Sequence, residues 1–257
     1  MVTTPPEAMR RLFNTQGALP NFPPRYNVTP TQDVPVVLTE RGQRTLAMLR
    51  WGLVPAGSEA DSGGKPRPGK PPLINARSET VDTAAPFKRA FRERRCLVPA
   101  NGYFEWDKAE SRQGRATGAK TPHLYHPADQ SLFAFAGIWE EWSDPARLGA
   151  SRQGRADGTT PLRSCAILTT QASALVAPIH DRMPVLLPPA AWPVWLGEAR
   201  ADHAALLALL RRGGDEAFTD TIVSKRVNSH VNDDPACIEP APTDPEAETS
   251  IPRDRLL

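Results

Sequence analysis

The chain is 257 residues long and 40% apolar, and 31 Lys and Arg against 29 Asp and Glu leave a formal net charge of +2. That length can bury one large core or two small ones. No stretch approaches the roughly 18 consecutive apolar residues of a membrane span, and the opening residues lack the basic start and apolar run of a signal peptide. A cytoplasmic protein is expected. The near-neutral balance means that any surface for nucleic acid must be local.

The first helix is expected from Pro5, capped by Thr4 with Glu7 completing a capping box and Met9, Leu12 and Phe13 on one apolar stripe. A Pro- and Asn-rich connection runs from Asn14 to Pro30. Val36 to Thr39 and Thr45 to Trp51 then read as a hairpin turning at Arg41-Gly42. Residues 56–70 are rich in Gly, Pro and charge and read as a loop. A helix is expected from Ala84 to Arg95. Short strands come next at Cys96–Val98, Tyr103–Trp106, His123–Tyr125, Leu132–Trp139 and Cys165–Thr169.

Polar insertions interrupt the strands near 108–121 and 143–162. Each contains nearly the same octet, Ser111 to Gly118 and Ser151 to Gly158, but the flanks share nothing. Expansion of hairpin tips by local duplication explains this better than a repeat fold, and a basic fringe along DNA is the sharper alternative. Asp202 can cap a helix carrying Leu206, Leu207 and Leu210 and closed by Gly213-Gly214, with a strand near Thr221–Val223 beyond it. Residues 241–257 are acidic and Pro-rich, too polar to order themselves. Many short strands with a few helices between them indicate an α+β fold.

Three cysteines, Cys96, Cys165 and Cys237, form no CxxC pair and no zinc set with the five histidines. They read as buried or incidental thiols, and neither metal nor cofactor is expected. Polar residues interrupt apolar sequence at four places: Arg25-Tyr26-Asn27, Ile74-Asn75-Ala76-Arg77-Ser78-Glu79, Gly102-Tyr103-Phe104-Glu105-Trp106 and His180-Asp181-Arg182-Met183-Pro184. Glu105 sits between two aromatics, where a low dielectric raises a carboxyl pKa and suits it to proton transfer. An outward charge on an alternating strand is the other reading. His180 is either structural or catalytic. Asn75 is either a turn residue or a positioned amide. Arg77 and Arg182 are either paired structural cations or phosphate clamps.

In order, content and spacing these four segments resemble the SRAP (SOS response-associated peptidase) family, from about Arg25 to Pro240. The resemblance implies one α+β domain over residues 1–240, with a mixed or antiparallel, barrel-like sheet flanked by a few helices. It implies a DNA-damage, SOS-response setting near the nucleoid and a monomer that binds single-stranded DNA. Such proteins capture the ring-opened sugar of an abasic site as a DNA–protein crosslink. Their chains open Met-Cys-Gly-Arg-Phe, the Met is removed, and the Cys amine forms a Schiff base that its thiol closes to a thiazolidine. Carried over, Glu105 is the general acid/base, Asn75 orients the amine or sugar, and His180 assists ring opening or reversal. Arg77 and Arg182 hold phosphates, and Trp106 contacts sugar or base.

The chain departs from the family at its start. Position 2 is Val2, no cysteine precedes Cys96, and Val2 to Pro6 look like the residues just after the family's opening, so about five residues are absent. An internal cysteine has no free amine, so the chain as written is expected to be crosslink-deficient. Its terminus is expected to fall short of the pocket. A natural start upstream is the leading expectation; a gene that lost its start and a non-catalytic relative are the others. Three functions compete: abasic-site crosslinking with a lyase side activity, plain single-strand or junction binding, and peptidase action by removal of leading residues. Neither GxSxG nor HExxH is present to support the last.

Overall fold

A computed structural model describes residues 1–61, 65–66, 72–107, 111–112, 115–116, 120–143, 161–211, 214–215 and 217–242, with only the backbone at 111–112 and 115–116. Its larger strands begin with β1 (Asp33–Glu40), β2 (Gln43–Trp51), β3 (Asn75–Arg77), β4 (Arg95–Ala100) and β5 (Tyr103–Trp106). The short pair β6 (Ser111–Arg112) and β7 (Arg115–Ala116) precedes β8 (Pro122–Pro127), β9 (Phe133–Trp142), β10 (Leu162–Gln171), β11 (Arg182–Pro184) and β12 (Phe218–Ile222). Helix α1 (Pro6–Phe13) precedes the strands, and α2 (Lys88–Glu93), α3 (Trp192–Trp195) and α4 (His203–Ala208) lie between them.

β1 and β2 pair antiparallel from Asp33↔Arg50 to Glu40↔Gln43. Their turn, Arg41-Gly42, has φ of +52° and +77°. Both values are positive, as a tight hairpin requires, and Gly42 meets the second without a Cβ clash. β2 then pairs parallel with β10, whereas β1 with β4, β4 with β9 and β9 with β10 pair antiparallel. The five strands therefore close into a ring, which leaves few free edges. β3 and β11 add to β10 where it runs past β2 and β9.

Alternate residues along these strands form two buried sets, as the period of two demands. One contains Val36, Leu38, Leu49, Val98, Phe135 and Ile167. The other contains Val37, Leu97, Ala136 and Leu168, together with Met9, Phe13, Phe91, Trp192 and Trp195 from the helices. A ring this narrow is filled by side chains, so the helices pack outside it and the first set fills it. Trp195 is held there by its indole N–H, which donates to the Cys96 carbonyl at 2.8 Å. β5, β8 and β12 make a smaller antiparallel sheet beside the ring.

Several expectations need correction. α1 has Pro5 at its cap position and no side-chain cap bond. Thr4 is drawn away by Asn101, whose Oδ1 accepts from Thr3 N, Thr4 N and the Thr4 hydroxyl at 2.9, 3.1 and 3.1 Å. Met9 and Phe13 are fully buried, but Leu12 is 45% exposed, because α1 meets the core along a narrower stripe than its sequence pattern. The helix expected over 84–95 forms only at Lys88–Glu93. Pro86 has no N–H to donate, and Arg95 already belongs to β4. β12 starts three residues before the expected strand, and β10 already begins at Leu162, inside the expected insertion.

Asp202 caps α4 as expected, accepting from Ala205 N at 2.7 Å. In the first octet β6 and β7 pair Ser111↔Ala116 and Arg112↔Arg115. The second octet, Gly213 and the expected tail from 243 onward lie outside the described residues. Among the described residues no helix is long and apolar enough to cross a membrane.

Candidate active site and nucleic-acid interface

A cavity of about 540 Å³ opens at one end of the ring, and Asn75, Arg77, Glu105, Trp106, His180 and Arg182 all line it. Val34, Val98, Phe135 and Ile167 form part of its apolar wall. Three of the polar segments read from sequence thus converge on one hollow, and Asn27 brings the fourth to its wall.

β3 supplies the first pair. The Trp51 indole donates to the Ile74 carbonyl at 2.9 Å, and β3 pairs with β10 at Asn75↔Ile167 and Arg77↔Thr169. Alternation buries Ala76 between them and turns Asn75 and Arg77 outward together. Among the described residues neither side chain has a hydrogen-bond or ion-pair partner. The cavity wall therefore carries a free amide and a free guanidinium.

Glu105 is half-buried on β5, and burial holds its carboxyl above the usual range; His180 opposes this and Asp181 adds to it. Such a group keeps its proton closer to neutrality, the property a general acid/base requires. His180 Nδ1 lies 3.0 Å from both the amide N and the carbonyl O of Arg182. The amide can only donate and the carbonyl can only accept, so these two contacts fix where the imidazole sits and not which of its nitrogens carries the proton. Trp106 donates its indole N–H to Asn228 Oδ1 at 2.6 Å, which fixes the ring at the wall.

Arg182 lines the cavity with its fork already occupied. Nη1 and Nη2 donate to Glu79 Oε1 and Oε2 at 2.7 and 2.9 Å, and Nη2 also reaches the Thr169 carbonyl at 2.6 Å. The pairing holds the Glu79 carboxyl below its usual range, against a smaller opposing effect of burial.

The amino terminus reaches the cavity, contrary to the expectation that it would fall short: Met1 and Val2 both line it. Val2 exchanges backbone hydrogen bonds with Arg25, and the Met1 carbonyl accepts from Asn101 N. The Met1 amine is buried and donates to the Gly102 carbonyl at 2.7 Å. Burial pushes its pKa from 8.0 to about 5, opposed by Asp233 and aided by Arg25. A Cβ at Gly102 would stand 2.9 Å from Leu124 Cδ1 and 3.1 Å from the Tyr125 carbonyl oxygen, so a larger residue would have to displace its neighbours. A neutral amine can add to a carbonyl, but Met1 carries no thiol to close a ring.

Sequence reasoning passed over the segment that ties this corner together. Asp233 accepts from the Tyr26 and Asn27 amides at 2.6 and 2.8 Å and pairs with Arg25. The buried Asn27 amide donates to the carbonyls of Val227, Ser229 and Asn232 at 3.1, 3.1 and 2.9 Å. The density of Asn and Asp from Asn228 to Asp234 was the available signal. Among the described residues no three His, Cys, Asp or Glu side chains converge as metal ligands, and all three cysteines are buried and unpaired.

The family model described as SOS response associated peptidase (SRAP) matches residues 1–230. The chain is 32% identical over 229 residues to Abasic site processing protein YoqW of Bacillus subtilis, covering 88% of this chain and 92% of that protein. It is 30% identical over 246 residues to Abasic site processing protein HMCES of Gallus gallus, covering 85% and 67%. Among solved structures, a protein from Bordetella bronchiseptica superposes with a TM-score of 0.66 at 23% identity, covering 87% and 97% of the two chains. Another from Bacteroides thetaiotaomicron gives 0.64 at 22% identity and 82% coverage of each. The family match over most of the length, on a ring whose open end gathers the motif residues, makes this chain a member of the SRAP family.

Proposed function

We propose that this chain binds single-stranded DNA and takes an abasic site into the cavity at the end of the ring. The observation that carries the reading is the meeting of the amino-terminal segment with Asn75, Arg77 and Glu105 on one wall. The names of the relatives, abasic site processing proteins, supply the substrate class. Arg77 and Arg182 hold phosphates flanking the lesion, Trp106 packs on sugar or base, and Asn75 donates to the sugar or the attacking amine. Stacking of this kind is commonly worth about 1–3 kcal/mol per base. Glu105 moves the proton as an amine adds to the sugar aldehyde and water leaves, and His180 assists opening of the sugar ring.

Thiazolidine closure then needs a thiol two carbons from that amine, adding to the imine carbon while its proton passes to nitrogen. Only an amino-terminal cysteine offers both groups. Cys96, Cys165 and Cys237 are internal and buried, so none of the three can supply that pair of groups.

A denaturing gel of this chain, beside one with Met-Cys-Gly-Arg-Phe placed ahead of Val2, after incubation with an abasic single-stranded oligonucleotide, separates the readings. A heat-stable shifted band from the extended chain alone is expected. No band from either chain would leave the binding module.

A further inference from the structure

We propose that Glu79 masks a phosphodiester-binding fork on Arg182, standing in for a DNA phosphate until one displaces it. The inference rests on the single-stranded DNA reading and adds to it a residue that sets how tightly, and how selectively, the strand is held.

The Arg182 guanidinium is held at two places, with Nη2 serving both: the Thr169 carbonyl on β10 at 2.6 Å, and the carboxylate of Glu79 at 2.7 and 2.9 Å. The first fixes the guanidinium to the ring. The second fills the planar face that a guanidinium presents to carboxylate or phosphate with two parallel bonds. A carboxylate in that position has the geometry of the ligand the site is built for.

The pair is also placed to open. The side chains of Arg182 and Glu79 are 20% and 50% exposed, so Glu79 can swing into water while Arg182 stays on Thr169. The pair of Arg94 and Glu140 makes the contrast: Glu140 is 3% exposed and has nowhere to go. Half-exposed pairs contribute little net free energy, so a phosphate that brings further contacts can replace one. Arg77, on the same wall, has no acidic partner among the described residues. One arginine at the cavity therefore waits open and the other is masked. A single loosely held phosphate gains little from Arg182, whereas a strand already seated on Arg77 can displace Glu79 and gain both.

The experiment is a binding titration of a fluorescent, undamaged single-stranded oligonucleotide at low salt. It uses the full chain, Glu79→Gln, Arg182→Ala and the double variant, with urea midpoints confirming that each is folded. Glu79→Gln is expected to bind about two- to fivefold tighter than the parent, in line with release of a half-exposed pair. That gain should vanish in the Arg182→Ala background. Weaker or unchanged binding by Glu79→Gln would make Glu79 a positioning residue for Arg182 and overturn the proposal. A gain that persists without Arg182 would reduce it to general relief of negative charge, which also overturns it. Glu79→Ala repeats the test should the glutamine itself bond to Arg182. Binding by no variant and not by the parent would sink the DNA reading, a result distinct from the other failures.

Discussion

The buried Met1 amine makes a chain that starts there less stable in acid, by an amount the structure bounds. Unfolded, the amine titrates near 8.0; folded, burial brings it to about 5. Between those values the unfolded chain holds a proton that the folded chain refuses, so stability rises with pH across the window. Below pH 5 both states are protonated and the loss is complete. Three units of pKa correspond to about 4 kcal/mol, an upper bound because local opening at the terminus would let water in. Asp233 already offsets part of the burial, and a single acceptor, Gly102, serves the three N–H bonds of an ammonium.

Urea unfolding at half-unit steps from pH 5 to 8 measures this, on the free chain and on the same chain acetylated at Met1. Other ionisable groups contribute as well, the raised Glu105 carboxyl with opposite sign, because its folded form keeps a proton the unfolded form has lost. All of these are common to the two chains and cancel in the difference. The acetylated chain is expected to be the more stable at pH 5, with the gap closing by pH 8. A chain carrying residues ahead of Met1 should behave as the acetylated one. A difference that stays flat would refute the claim that the amine is buried. The same shift has only a modest chemical effect: at pH 7.5 the free-base fraction goes from roughly a quarter to nearly all, about fourfold in nucleophile.

In a chain with its leading cysteine present, Glu105→Gln should slow crosslinking by about 10²–10⁴-fold and leave oligonucleotide affinity within about twofold; unchanged single-turnover kinetics would remove Glu105 from the chemistry. Arg77→Ala should weaken binding to intact and abasic strands alike and lower the slope of log K against log salt by about 0.7, one phosphate's share on a single strand. Loss confined to abasic strands, read by anisotropy, would contradict a phosphate role. Asn27→Ala strips the amide that serves three carbonyls of the 227–232 segment and should cost about 2–3 kcal/mol in urea unfolding, with oligonucleotide binding falling alongside.

The ring strands were legible because their apolar residues alternate or run continuously, and the four polar segments stood out against that background. Asn75 and Arg77 stood out as polar residues but not as a pair on one strand face, because a strand of three residues carries too little alternation to be read. The partnerships could not be read either. Glu79 meets Arg182 across 103 residues and Asn228 meets Trp106 across 122, and no local pattern encodes a contact made only when the ring closes. The capping box failed for the same reason. Thr4 and Glu7 have the right spacing, but Asn101, 97 residues away, offers the Thr4 hydroxyl and amide a better-placed acceptor.

Thr169 explains why this end of the ring became the site. Its residue position pairs with Arg77 on one side and Pro184 on the other, and its carbonyl accepts from Ser78 N at 2.9 Å and from Arg182 at 2.6 Å. One residue of β10 thus sets the register of both arginine-bearing strands. A one-residue slip of either would exchange its inward and outward faces. In β3 that would bury Asn75 and Arg77 and expose Ala76. The hydrogen bonds that hold β3 and β11 on the ring are therefore the ones that place Asn75, Arg77 and Arg182 at the cavity, so the site's geometry depends on the strand pairing itself.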